Sequence, residues 1–144
     1  MRPTKEQKRI TAERAHGCCE YCRSQVRYAT ETFSTEHIEP QKAGGKAELD
    51  NLALACQGCN NHKATKIKAI DPVTKQLAPL FHPRLQKWSE HFYWSEDHTL
   101  IFGITATGRA TVADLKLNRE SVVNLRRALY LIGTHPPVEP LNVE

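Results

Sequence analysis

An α+β fold is predicted by three features of this 144-residue sequence. Two Cys-x-x-Cys pairs, Cys19/Cys22 and Cys56/Cys59, frame a strand, loop, strand, helix order; a helical stretch precedes the first pair; and aromatic and β-branched runs near the C-terminus lead into an amphipathic helix. The expected organisation is a finger with its N-terminal helix over residues 1–70. Residues 71–144 form an extension packed against it, a short sheet and a terminal helix.

The first helix is expected over residues 4–16, because Thr4 and Gln7 have capping-box spacing and Gly17 is placed to end it. TFSTEHI, residues 32–38, is rich in β-favouring types and runs into Pro40. Gly44 and Gly45 mark a turn before NLALAC. After the second cysteine pair, NNHKATKIKAI reads as a helix ending before Asp71-Pro72, and the proline-bearing stretch to Pro83 reads as a connecting loop. KWSEHFYWSEDHTLIFGITATG reads as two or three strands. Asn118 is a good N-cap for a last helix with Val122, Leu125, Leu129 and Ile132 on one face, stopped by Gly133.

With 40% hydrophobic and 25% charged residues the composition is that of an ordinary globular protein. No apolar run approaches the roughly 20 residues of a membrane span, so no membrane partner is expected. MRPTKEQKRI has basic residues without the apolar stretch of a secretory signal, which makes a cytoplasmic location the expectation. The net charge of +4 suits a polyanionic partner without requiring one.

Paired thiols in a reducing compartment indicate metal. Cys19, Cys22, Cys56 and Cys59 supply four thiolates, a tetrahedral set with no open position, hence structural zinc. No βαβ pattern surrounds either pair, which argues against a thioredoxin-like redox motif. Cys18 competes with Cys19 for the ligand role, and the two-residue spacing favours Cys19; Cys18 is then a free thiol and His16 a helix-end residue.

Between the pairs lies STEHIEPQKAGGKAELDNLALACQGCNNHK. Its Glu36, His37, Ile38, Pro40, Gly44, Gly45, Asn51, Leu52, Cys56, Cys59 and Asn60 follow in order the pattern of the HNH endonucleases, and residues 17–66 resemble that family. The resemblance implies a ββα-metal finger and a nuclease that hydrolyses phosphodiester bonds in DNA, leaving 5′-phosphate and 3′-hydroxyl ends. It implies His37 as general base, Asn51 as the residue bracing the loop that orients it, and Glu36 with Asn60 as ligands of one catalytic divalent cation, Mg²⁺ or Mn²⁺, distinct from the zinc. His62 and Lys63 are candidate substrate contacts, His62 also an alternative metal ligand. Two departures bear on the cation, since Glu36 stands where many members have Asp and Asn60 where many have His. DNA is the expected partner and RNA the second; the alternative reading is a non-catalytic zinc-finger module that binds nucleic acid or protein.

In the C-terminal half, Arg84, Lys87 and His91 interleave with Phe81, Trp88, Phe92, Tyr93 and Trp94. Such a string suits base stacking, but it suits a small domain's core better. Arg119, Arg126 and Arg127 belong either to a nucleic-acid-facing surface or to the solvated side of the last helix.

Overall fold

A computed structural model describes residues 2–138. Helix α1 spans Lys5–Arg14, and its start is set by the capping box: Gln7 N–H donates to Thr4 Oγ1 at 3.0 Å and Thr4 N–H to Gln7 Oε1 at 2.9 Å. The helix lies along the first hairpin, strands β1 (Ser34–His37) and β2 (Leu52–Ala55), antiparallel with His37 opposite Leu52. Gln7 Nε2 donates to the Ala47 carbonyl, and Arg14 Nη2 to those of Leu49 and Leu52. These bonds tie α1 to the β1–β2 connection and to the start of β2.

Helix α2 spans Gln57–Lys63 and departs from the expected helix at both ends. It begins earlier, with Cys56 as N-cap, so the second cysteine pair sits on its first turn. It also stops earlier, because Ala64 takes a positive φ of 51° and residues Lys68–Ile70 become strand β3. Strand β3 pairs with β4 (Leu77–Pro79), Ala69 opposite Ala78, across a turn closed by Asp71. The expected connecting loop is therefore half hairpin. A bidentate ion pair with Arg109 holds the Asp71 carboxylate well below its ordinary range.

A single turn, α3 (Trp88–His91), leads into the hairpin of β5 (Phe92–Trp94) and β6 (Ile101–Gly103). Helix α4 (Ala106–Asp114) was not foreseen, because ITATG reads locally as strand and turn; its N-cap is Thr105, whose hydroxyl accepts from Gly108 N–H. It packs against β3, β4 and β6. The last helix, α5 (Glu120–Leu131), buries Val122 and Leu129 but leaves Ile132 exposed. Asn118 is not its cap: its amide bonds both the N–H and the carbonyl of Ile101, as a neighbouring strand would, and Arg119 takes the cap position.

One core joins the two halves of the chain. Cys19, Tyr21, Cys22, Cys56 and Cys59 pack in the same buried cluster as Phe81, Trp88, Phe92, Ile101, Leu115 and Leu117. The aromatic string thus serves the core, where Phe81 meets Tyr21 and Phe92 edge to face.

Candidate functional site

The four cysteine sulfurs lie within 4.8 Å of one another, and all four residues are buried. A tetrahedron with Zn–S bonds of about 2.3 Å has S···S edges of about 3.8 Å; Cys22 Sγ and Cys56 Sγ are 3.6 Å apart. Both turns repeat one local geometry, the second cysteine's N–H donating to the first cysteine's sulfur at 3.5 Å in each pair. Burial pushes the Cys19 thiol well up, and neighbouring sulfurs add to it. Four buried thiolates this close would need a cation among them, so the donor set fits zinc. Cys18 is buried outside the cluster.

The first knuckle is seated on the free edge of β2. Glu20 N–H donates to the Leu54 carbonyl and Leu54 N–H to Glu20 Oε2, each at 2.9 Å. Arg84 pairs with the same Glu20, and Trp88 Nε1 donates to the Tyr21 carbonyl at 2.9 Å. The C-terminal half thus grips the knuckle directly.

The segment after β1 is organised by Asn51. Its Oδ1 accepts from Glu39 N–H at 2.9 Å, and its Nδ2 donates to the carbonyls of Glu39 and Lys46 at 3.0 Å each. Ile38 N–H donates to the Asn51 carbonyl, which continues the β1–β2 pairing just past His37. Gly45 completes the fit, because a Cβ there would lie 1.8 Å from the Glu39 carbonyl oxygen. His37 itself ends β1, half-buried, and strand alternation sends its side chain to the face opposite Glu36.

Glu36 faces inward. Its carboxylate accepts from the Tyr21 hydroxyl and lies 3.3 Å from Lys63 Nζ, which also donates to the Ile38 carbonyl at 2.9 Å. Burial pushes the Glu36 carboxyl up, and the Lys63 ammonium and Tyr21 hydroxyl oppose that. Burial also keeps the Tyr21 phenol protonated, so it is the donor. The expectation that Lys63 contacts a phosphate is corrected: at 1% exposure its ammonium is spent inside, on Glu36 and Ile38.

Asn60 is half-buried one helical turn ahead of Lys63, hence on the same side of α2, and His62 is half-buried on that helix. A cation held between Glu36 and Asn60 would have to share the carboxylate with Lys63 and Tyr21. Among the described residues, the cysteine set is the one group of three or more His, Cys, Asp or Glu side chains placed to hold a metal. Tyr21 escaped the sequence reading; its signal is a large aromatic residue inside a Cys-x-x-Cys turn, where solvent-facing polar types are expected.

Removing one partner of a buried ion pair strands the other charge, at a cost of about 3–5 kcal/mol. Glu36→Ala is therefore expected to lower the unfolding free energy, read from urea denaturation, by that order, and Glu36→Gln by less, since its amide oxygen can still accept from Lys63 while its amide N–H donates to the Tyr21 hydroxyl. Parent-like stability of Glu36→Ala would refute the buried pairing.

A model of the HNH endonuclease family matches residues 19–66. No curated protein and no solved structure matches the chain. The matched span holds both zinc knuckles, the β1–β2 hairpin and α2. Among the described residues, no helix is long and apolar enough to cross a membrane. Residues 19–66 thus match the HNH endonuclease model, within a mixed α and β chain whose four clustered cysteines fit structural zinc.

Proposed function

We propose that the protein is an endonuclease that hydrolyses phosphodiester bonds in DNA, with His37 as general base. The observation that carries this reading is the clamp of Asn51 on the backbone immediately after His37, inside the span matched by the family model. A base must be held still relative to the water it activates, and two side-chain bonds to Glu39 with a third to Lys46 do this for the strand end.

The neutral imidazole of His37 accepts a proton from water. The water oxygen then bonds to phosphorus as the P–O3′ bond breaks, and the released 3′-oxygen takes a proton from solvent. Asn51 positions His37 and does not touch the substrate. Glu36 and Asn60 are the residues that would hold a divalent cation, Mg²⁺ or Mn²⁺, which when bound offsets charge on the phosphate and the departing oxygen. Tyr21 and Lys63 hold the Glu36 carboxylate in a single orientation toward α2. His62 is the remaining candidate for a substrate contact on that helix. Reduced thiols at a zinc site suit the cytoplasm.

The test is incubation of reduced, zinc-loaded protein with supercoiled plasmid, with and without Mg²⁺ or Mn²⁺. Nicked and linear products that require the added cation support the reading. Cleavage of RNA alone would move the substrate class, and binding without cleavage of either would favour a non-catalytic nucleic-acid-binding finger.

A further inference from the structure

Two arginines from one stretch of the C-terminal half address the cysteine cluster. Arg119, the N-cap of α5, places Nη2 at 3.2 Å from Cys56 Sγ and 3.8 Å from Cys59 Sγ, with Nη1 3.7 Å from Cys59 Sγ. Arg126, two turns further on α5 and buried, donates from Nη2 to the Cys22 carbonyl at 3.2 Å and the Leu117 carbonyl at 2.7 Å, and from Nη1 to the Thr99 carbonyl and Asn118 Oδ1. A second observation concerns Gly58, the residue before Cys59. A Cβ at that position would lie 2.5 Å from Arg119 Nη2 and 2.7 Å from its Cζ, so the guanidinium occupies the space that glycine leaves open.

Four thiolates around Zn²⁺ carry a net charge of about −2. Buried in the core, such a charge is costly unless compensated. We propose that Arg119 is a component of the zinc site, an outer partner whose guanidinium compensates the thiolates of Cys56 and Cys59 and so sets how tightly the metal is kept, with Arg126 supplying the second positive charge behind the first knuckle. Hydrogen bonds from a cation to metal-bound sulfur draw off electron density that would otherwise invite protonation or oxidation, and both reactions release zinc. The glycine of the second knuckle is the opening through which the C-terminal half reaches the metal centre. Sequence order hides this contact, because its two sides lie on different elements with four hairpin strands, α3 and α4 between them.

The experiment follows zinc transfer from the holoprotein to a chromogenic chelator, together with the sulfur-to-metal charge-transfer band of the Co²⁺-substituted protein. Arg119→Met is expected to release zinc about 10- to 100-fold faster, the range typical when an outer-shell partner of a metal ligand is lost, and to shift the charge-transfer band. Arg119→Lys is expected to recover part of the retention, keeping the charge without the fork. Arg119 also caps α4 through the carbonyls of Leu115 and Lys116, so its loss has a structural side. Gly58→Ala reaches the sulfur contact from its other side, because alanine on α2 favours the helix while its methyl displaces the guanidinium. It is expected to release zinc faster although Arg119 itself is kept. Parent-like zinc release in a folded Arg119→Met, or in Gly58→Ala should the first variant fail to fold, would overturn the proposal.

Discussion

His37→Ala protein is expected to bind DNA about as well as the parent and to cleave it at least about a hundredfold more slowly, the usual contribution of a positioned general base. The fold should survive, because His37 ends a strand whose continuation is held by the Asn51 clamp and by the Ile38 N–H bond to the Asn51 carbonyl. Binding and chemistry then separate. The parent rate should rise with pH through the histidine's titration, since only the neutral ring accepts a proton, and this limb should be missing in the variant. Circular dichroism, a filter-binding isotherm and a single-turnover nicking assay check the three parts. A folded His37→Ala protein with parent-like cleavage would rule out the proposed base.

Removal of zinc is expected to unfold both halves of the chain together. Apparent zinc binding energies in small fingers are on the order of 10 kcal/mol, comparable with the whole stability of a domain this size. A free-standing finger would confine the loss to residues 17–66. Here the cysteines share a core with Phe81, Trp88, Phe92, Leu115 and Leu117, and Glu20, Tyr21 and Cys22 are bonded by Arg84, Trp88 and Arg126. Both tryptophans, Trp88 and Trp94, lie outside the matched span and report on the C-terminal half. Their fluorescence should therefore shift to that of solvated indole in step with loss of helical signal when a strong chelator is added. Cys59→Ser should behave like the stripped parent, whereas Cys18→Ser should keep its zinc, because Cys18 lies outside the four-sulfur cluster. Loss of zinc with unchanged tryptophan emission would show that the halves fold independently.

Local signals in the sequence were sufficient for the α+β class, the four-cysteine set, the capped first helix and the β1–β2 hairpin. Each is written in short-range chemistry: Thr4 and Gln7 satisfy each other's backbone, two cysteines two residues apart converge on one point, and alternation with turn residues makes a hairpin. The order of Glu36, His37, Asn51 and Asn60 was equally plain, and it led to the HNH domain that the family model matches. The β3–β4 hairpin and helix α4 were hidden because their local propensities favour other states. KATKIKAI suits a helix until Asp71 turns the chain and Arg109, far along the sequence, locks that turn; ITATG suits a strand until α4 packs on three of them. Only the tertiary structure decided where the charges go. Whether Lys63 meets a phosphate or Glu36, and whether Arg119 faces solvent or sulfur, depends on which groups lose water together, and that is a property of packed elements, not of residues read in order.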